Sequence, residues 1–305
     1  MIYTLTLNPA IDYYIDMNNF EEGELNKVNN AYTLAGGKGI NVSKVLKNFN
    51  IDSAALGFCG GFTGDYIKKH LKEYGIKESF IYLEEDTRIN IKLKTDKTES
   101  EIAGKAPNIS KEKVNELLEF IKNNIKENDI LVLSGSVPSS IENSIYKEII
   151  NKAGKNVKVI LDARDEAFKI GVKEKVFLTK PNKKELGEYF NKNIETTEDI
   201  VKYARELIKD GSENVIVSLG KEGSMLITKD EAYIGNAPDG KLISSVGAGD
   251  SMVAGIVYGI SKNLSLIESY KYAIASGSST ACSEGLTTFE NMKKFLENTE
   301  IKKIN

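Results

Sequence analysis

The sequence predicts an α/β fold, in which helices flank a doubly wound, mostly parallel β-sheet and a small β-sheet forms a lid over one edge. Short, continuously apolar, β-branched runs recur in the second half of the chain, as in strands buried on both faces. Helical patterns separate these runs, and such alternation indicates a parallel sheet. The first hundred residues instead contain extra strands, several of which alternate polar and apolar residues. These do not fit βαβ order, so we expect them to form the lid.

The elements follow in chain order. The first strand is predicted at 2–7, extra strands at 12–20, 27–34, 80–83 and 89–95, and buried strands at 130–133, 157–161, 176–179 and 215–219. Apolar residues recur at helical spacing from Val114 to Ile125 and from Val253 to Ile260. Capping boxes are expected at Ser139 and Thr196. We expect one domain over 1–305, with a lid formed by segments about 12–34 and 80–103.

Composition excludes several classes of protein. The net charge of −3 is spread along the chain and gives no basic footprint for nucleic acid. No apolar run approaches the roughly 20 residues of a membrane span, and the amino terminus reads as a strand rather than a secretory signal. Cys59 and Cys282 support neither a disulfide framework nor a zinc site. These features predict a cytoplasmic protein.

The segment 244–255 carries the strongest chemical pattern. Gly247, Ala248 and Gly249 lie where a loop enters a helix, and Asp250 lies in the first turn of that helix. Glycines there allow backbone N–H groups to approach an anion, which the helix dipole also favours. An adjacent Asp can act as a general base on a hydroxyl. Taken alone, the pattern fits equally well a turn followed by a capping Asp.

A second glycine-rich segment, Gly36 to Asn41, precedes another helix. Its three glycines surround Lys38, so backbone amides and one ammonium can meet a polyhydroxylated or phosphorylated ligand, and Asn41 can both donate and accept. A flexible turn is the alternative. No Gly-Lys pair in the chain is followed by Ser or Thr, which excludes a Walker A loop, and no segment matches the dinucleotide fingerprint.

Several strand ends offer further polar groups. Asp12 follows the first strand, and Arg88, Asn90 and Lys92 share one face of a predicted strand that Lys27 could join. That face suits a substrate phosphate or a solvated edge. Asn182 and Glu185, three residues apart after a strand, fit either a hydrated Mg²⁺ or a helix cap. The loop at Ser218, Gly220 and Gly223 suits nucleotide contact.

Together these segments resemble the ribokinase-like (PfkB) family of carbohydrate kinases along essentially the whole chain. Both family signatures are present: Gly-Gly-Lys-Gly-x-Asn at 36–41, and Gly-Ala-Gly-Asp at 247–250, followed by Ser251 and Gly255. Segments 4–9, 87–90 and 132–138 are similar to the bacterial phosphosugar kinases of the family, and most similar to those acting on fructose 1-phosphate. The resemblance implies a β lid that pairs with a second lid in a homodimer.

The resemblance also implies residue roles. Asp250 would be the general base, and the amides of Gly247, Ala248 and Gly249 would form an anion hole. The sugar and its phosphate would be held by Asp12, Gly36, Gly37, Lys38, Asn41, Arg88, Asn90 and Lys27. ATP would be held by Lys180, Asn182, Ser218, Gly220, Gly223, Ser251, Gly277 and Ser278. Mg²⁺ would be held by Asn182 and Glu185 through water.

The implied reaction is transfer from MgATP to the C6 hydroxyl of fructose 1-phosphate, giving fructose 1,6-bisphosphate and ADP. Three alternatives stay open: a tagatose 6-phosphate or fructose 6-phosphate kinase, a non-catalytic sugar-phosphate sensor, and a nucleoside or vitamin kinase. The cations near Arg88 disfavour the last. The segment 98–107 differs from the usual sequence of family members at this place, which runs through an Asn-Glu pair into Gly-Pro. We therefore assign no role to Glu101.

Overall fold

The computed structural model describes residues Met1 to Ile304. Its strands are β1 Ile2–Thr6, β2 Ala10–Asp16, β3 Asn30–Gly36, β4 Ala54–Gly60, β5 Lys77–Leu83, β6 Ile89–Lys94, β7 Glu99–Ile102, β8 Ile130–Ser134, β9 Lys158–Asp162, β10 Val176–Thr179, β11 Ser212–Ser218, β12 Ser224–Ile227, β13 Ala232–Gly235 and β14 Ile301–Lys303. Its helices are α1 Lys38–Asn48, α2 Gly61–Glu73, α3 Lys111–Asn124, α4 Ile145–Ala153, α5 Asp165–Gly171, α6 Lys183–Phe190, α7 Thr197–Asp210, α8 Ala248–Ser261, α9 Leu266–Ala281 and α10 Phe289–Glu297.

The main sheet confirms the predicted doubly wound architecture. Across residues 1–304 its strand order is β14-β13-β12-β11-β10-β9-β8-β1-β4-β5, parallel from β11 to β5 and antiparallel from β12 to β14. Every residue of β4 and β8 is buried. Helices cover both faces, and each buried Val, Leu or Ile side chain contributes about 1.5–3 kcal/mol. That double burial explains why these strands read as continuous apolar runs.

The lid is a separate sheet of strand order β3-β2-β6-β7. The assignment of 80–83 to the lid is wrong, because β5 pairs in parallel with β4 at the edge of the main sheet. Phe80, Ile81 and Leu83 are buried there, whereas Tyr82 is exposed because an edge strand is only partly covered. The strand expected at 12–20 ends at Asp16. The segment 98–107, which returns the chain from the lid to the main domain, contains β7.

Of the two predicted capping boxes, one is present. The box at Thr196 is confirmed, since the Thr196 side chain accepts from the backbone N–H of Asp199 and the Asp199 side chain accepts from the backbone N–H of Thr196. The box at Ser139 is wrong: α4 begins at Ile145, and the Ser140 hydroxyl instead accepts from the backbone N–H of Ile109. No helix within residues 1–304 is long and apolar enough to cross a membrane.

The sheet order also locates the site. β1 lies between β4 and β8, so the chain changes direction beside β1, and ligands of open α/β sheets bind outside the carboxyl ends of strands at such a point. Thr6 is in register with Ser134, and Ser134 with Asp162. The hydroxyls of Thr6 and Ser134 are buried without a hydrogen-bond partner in the described structure. Unpaired buried hydroxyls are costly, and they mark this edge as a ligand site.

Candidate active site

Asp250 lies in the first turn of α8 and is 7% exposed. Its Oδ2 accepts a hydrogen bond of 2.8 Å from Nδ2 of Asn41, which α1 carries. The two glycine-rich segments predicted from the sequence therefore meet at one carboxylate. A residue that only capped its own helix would not make this bond to α1.

The start of α8 presents the amides expected for an anion hole. Gly247 is the N-cap residue and has the left-handed φ of 78°, which favours glycine. A side chain there would also meet Leu286, since a Cβ on Gly247 would lie 2.6 Å from Leu286 Cδ2. The first amides of a helix lack intrahelical acceptors, so that of Gly249 can face an anion, whereas the N–H of Ala248 donates to the carbonyl of Ser245 at 3.3 Å. The anion hole expected at 247–249 therefore stays a prediction.

A buried ion cluster lies beside this helix start. Asp162, at the end of β9, accepts from Lys38 Nζ with both oxygens at 3.2 Å and lies 3.6 Å from Lys180 Nζ. Strand β10 pairs with β9 so that Thr179 lies opposite Leu161. Lys180 and Asp162 are the next residues of the two strands, and this register brings them level with each other. A Cβ on Gly249 would lie 3.1 Å from Lys180 Nζ, so this ammonium borders the anion hole.

Asp162 is the functional residue that sequence reasoning missed. It is 3% exposed and ends a strand in the same edge of the sheet as Thr6 and Ser134. A signal was present, because a carboxylate directly after a continuously apolar strand lies where ligands of α/β sheets bind. The sequence motifs that drew attention to Lys38 and Lys180 do not include it.

The cluster shifts the pKa values of its two carboxyl groups in opposite directions. Burial, followed by the charge of Asp162, raises the pKa of Asp250 above its ordinary value, against the opposing effects of Lys38, Asn41 and Lys180. Burial acts to raise the pKa of Asp162 too, but Lys180 and Lys38 overcome it and hold that pKa below its ordinary value. Two carboxyl groups with pKa values pushed apart take different roles. Asp250 is the better proton acceptor, and Asp162 stays charged.

The lid holds several of the residues predicted to bind the sugar. Asn90 donates from Nδ2 to Asp12 Oδ1 at 2.8 Å, as their pairing between β2 and β6 requires. Gly36 packs against the same carboxylate, since a Cβ there would lie 2.2 Å from Asp12 Oδ2. Arg88 donates to the carbonyl of Asn8 at 3.0 Å, and its Nε is buried without a partner in the described structure. One donor of Arg88 is thus left for a ligand.

Two other lid cations are placed differently. Lys92 in β6 forms an ion pair with Glu101 in β7. Glu101, which was given no role from the sequence, therefore contacts the lid cation Lys92. Lys27 is exposed in the loop between β2 and β3. Its side chain makes no hydrogen bond or ion pair with any residue from 1 to 304, so the structure does not bring it to the site.

On the nucleotide side, Asn182 and Glu185 form the helix cap that the sequence left open. Each side chain binds the backbone N–H of the other, at 2.8 and 2.9 Å. Glu185 Oε1 also lies 2.9 Å from Arg164 Nε. Ser218 lies beside Asn182 through a β-bridge, and Gly220 and Gly223, with φ of 61° and 92°, turn the loop that follows.

Two of the residues predicted to contact nucleotide, Ser251 and Gly277, make packing contacts in the structure. Ser251 is fully buried, and its hydroxyl accepts from Thr280 at 2.7 Å. Gly277 brings α9 against α8, because a Cβ there would lie 2.4 Å from Met252 Cγ. Ser278 is partly exposed in α9. The contacts of Ser251 and Gly277 support a structural role for both.

This site, with a buried carboxylate beside a helix start and cations at the ends of parallel strands, has the layout of a phosphotransferase. Comparison with known proteins agrees: the model of the pfkB family carbohydrate kinases matches residues 5–293. The chain belongs to the pfkB family of carbohydrate kinases.

Individual relatives cover all or nearly all of the chain. It is 45% identical to a 1-phosphofructokinase of Bacillus subtilis over 100% of both chains. It is 33% identical to a D-tagatose-1-phosphate kinase of Bacillus licheniformis, over 94% of both. Among solved structures, the tetrameric inhibited form of phosphofructokinase-2 from Escherichia coli superposes with a TM-score of 0.90 at 26% identity, covering 97% of this chain and 98% of that one.

Proposed function

We propose that this chain is a 1-phosphofructokinase, which transfers the γ-phosphoryl group of ATP to the C6 hydroxyl of fructose 1-phosphate. The observation that carries the proposal is the meeting of Asp250, Asn41 and the Gly247 helix start at one point. The higher identity to the fructose 1-phosphate kinase than to the tagatose kinase supports the choice of sugar.

The raised pKa of Asp250 supports its assignment as the general base. Its carboxylate takes the proton of the acceptor hydroxyl as the oxygen attacks phosphorus, the P–O bond to ADP breaks, and ADP leaves with the bonding pair. A base whose pKa is raised towards neutrality accepts that proton more readily. The acceptor oxygen must lie within hydrogen-bond reach of Asp250, which Asn41 holds in place.

Charge on the transferring group is met by the anion hole and the buried cations. The amides of Gly247, Ala248 and Gly249 would form the anion hole, that of Ala248 after release of its bond to Ser245, and Lys180 borders Gly249. Such preorganised donors act in a water-poor site, where they stabilise developing charge most strongly. Asp162 holds Lys180 and Lys38 in fixed positions and so prevents either from collapsing onto Asp250.

Magnesium fits this site as a hydrated ion. Within residues 1–304 no group of three or more His, Cys, Asp or Glu side chains could hold a metal directly. The Glu185 carboxylate accepts two bonds and has further lone pairs for water, and Mg²⁺ usually keeps several waters and few carboxylates. Asn182 and Glu185 would hold it through water. Bound Mg²⁺ would neutralise charge on the β- and γ-phosphate oxygens.

The acceptor's own phosphate needs a cation near the lid. Arg88 has an unpaired buried Nε and fits that role, whereas Lys92 is already neutralised by Glu101. Asp12, held by Asn90 and Gly36, would orient the sugar hydroxyls. An acceptor with a phosphate distant from its reacting hydroxyl therefore suits the site.

A coupled ADP-release assay tests the proposed function. MgATP would be tested in parallel against fructose 1-phosphate, fructose 6-phosphate, tagatose 6-phosphate and tagatose 1-phosphate. We expect fructose 1-phosphate to be preferred in kcat/KM by roughly two orders of magnitude, or about 2.7 kcal/mol of discrimination. Preference for a different phosphosugar would contradict the choice of substrate, and no turnover with any would favour a sensor.

We also propose that the enzyme is a homodimer whose lids pair. The lid exposes large apolar residues to a degree unusual for a surface, including Leu25 at 86%, Ile102 at 57% and Phe20 at 54%. Contiguous exposed apolar groups mark protein interaction sites. The edge strands β3 and β7 also leave unpaired backbone groups, which a second lid would cover.

Light scattering after size exclusion tests the pairing of lids. Leu25→Arg would place a charge in the apolar interface, so we expect it to lower the fraction of dimer at micromolar concentration by about tenfold or more. Ile267→Arg, on an exposed position of α9, is the matched control and should leave the mass unchanged. Dimers of equal stability in both variants would exclude the lid as the interface.

We place the reaction in the cytoplasm. The two cysteines, Cys59 and Cys282, are both free thiols, and reduced cysteines are typical of that compartment. The phosphorylated substrates proposed above support the same setting.

A further inference from the structure

Lys44 is a buried cation for which the mechanism above has no use. It lies in α1, is 6% exposed, and donates from Nζ to the carbonyl of Ala35 at 2.6 Å. No carboxylate within residues 1–304 lies within ion-pair distance of it. Burying an unpaired ammonium opposes folding, so the position calls for an explanation beyond packing.

The acceptor carbonyl lies at the junction between the lid and α1. Ala35 and Gly36 end the lid strand β3, and α1 begins two residues later. Gly36 touches the carboxylate of Asp12, and Ala35 pairs with Ile11 in β2. The bond from Lys44 therefore fixes the backbone one residue away from the group that would orient the sugar.

The same helix holds the other half of the site. Lys38 bonds Asp162, Asn41 bonds Asp250, and Lys44 bonds Ala35, so three side chains spaced three residues apart attach α1 to three different parts of the molecule. A rigid helix with these attachments sets the distance between Asp12 in the lid and Asp250 in the main domain. Misplacement of about 1 Å in such a constellation can reduce activity by about a hundredfold.

We propose that Lys44 is a positioning residue for the acceptor: by holding the Ala35 carbonyl it fixes the lid junction, and with it Asp12, relative to Asp250. The inference rests on the proposed function in that the acceptor is a phosphosugar. It does not depend on which phosphosugar is used.

The charged neighbours of Lys44 give the proposal a pH signature. Asp12 faces it from the lid and His70 from α2. Burial lowers the pKa of Lys44 to about 8, with Asp12 opposing, so the ammonium is present below that pH and is lost above it. Burial and the charge of Lys44 lower the pKa of His70, so His70 does not titrate in the same range.

Steady-state kinetics of three variants test the proposal, using the best acceptor found for the wild type. Lys44→Met removes charge and donor at similar length, and we expect the KM for the phosphosugar to rise by about tenfold or more while the KM for MgATP changes by less than about twofold. Lys47→Met is the matched control: Lys47 lies on the same helix, half-exposed and paired with Asp52, and both KM values should stay unchanged. Lys44→Arg keeps a permanent charge and should restore sugar affinity near neutral pH.

The pH profile separates positioning from mere stability. A neutral amine still donates to the Ala35 carbonyl, but more weakly than an ammonium does. For the wild type we therefore expect kcat/KM for the phosphosugar to fall as pH rises through about 8, and this limb should be absent from Lys44→Arg. Parallel rises in both KM values of Lys44→Met, or a wild-type profile without this limb, would overturn the proposal. If Lys44→Met does not fold, the wild-type and Lys44→Arg profiles still decide. Failure of the proposed function would show instead in the substrate panel.

Discussion

Asp250→Asn is expected to lower kcat by about 10³-fold or more, while the dissociation constant of MgATP changes little. Asn keeps the shape of the side chain and can still pair with Asn41, but it cannot accept the proton of the acceptor hydroxyl. General-base catalysis contributes typically about 10²–10⁴-fold, and a 10³-fold loss is about 4 kcal/mol of transition-state stabilisation. Initial-rate kinetics and nucleotide binding by calorimetry would measure both quantities.

Thermal unfolding and pH provide the controls for this variant. Because the folded pKa of Asp250 is raised, its charged form opposes folding above the ordinary pKa of an Asp, and stability rises as pH falls. Removing that charge should therefore not lower Tm. For the wild type, kcat/KM should fall as pH drops through the raised pKa. An Asp250→Asn enzyme with substantial turnover would refute the base assignment.

Asp162→Asn is expected to damage both stability and catalysis. The substitution leaves the ammonium of Lys180 buried without its carboxylate, and breaking such a pair costs about 3–5 kcal/mol. Lys38 is more exposed, so we take the lower value, which corresponds to a fall in Tm of roughly 5 °C. Because both lysines lose their anchor beside the phosphoryl group, kcat should fall by about 10²-fold.

The pH profile identifies the catalytic part of that loss. The charge of Asp162 raises the pKa of Asp250, and the lysines it holds lower it, so Asp162→Asn should move the acidic limb of kcat/KM to lower pH. Asp129→Asn is the matched control, since Asp129 is buried, pairs with the amino terminus, and lies at the opposite end of β8. It should destabilise the protein without moving the limb. An unmoved limb in Asp162→Asn would contradict the electrostatic coupling.

Most strands of the lid could be predicted from the sequence, but which segments belong to it could not. Strands near 12–16, 30–34 and 89–94 follow from their alternating pattern, and these segments pair as a separate sheet. The segment 80–83, which was also expected in the lid, belongs to the main sheet, where Phe80, Ile81 and Leu83 are buried. A short apolar run fits a strand of either sheet, so the sequence did not decide which sheet it joins.

The sequence by itself determined the fold class, the family signatures and Asp250. Each of these depends on residues close together in the chain: an apolar run forms a buried strand, and a glycine cluster before an amphipathic stretch forms a loop that enters a helix. The structure and the comparisons confirm the fold class and the family, and the role of Asp250 stays a prediction.

The tertiary structure alone decided which groups share a site. Asp162 meets Lys38 across 124 residues of chain, Asn41 meets Asp250 across 209, and the hydroxyl of Ser251 turns to Thr280. These contacts depend on strand register and helix packing, which are set by the summed burial of many distant side chains. A local sequence pattern does not report such distant contacts. Asp162 follows an apolar strand, where a ligand site could have been expected, but its pairing with Lys38 and Lys180 is seen only in the folded chain. The same holds for the bond from Lys44 to Ala35.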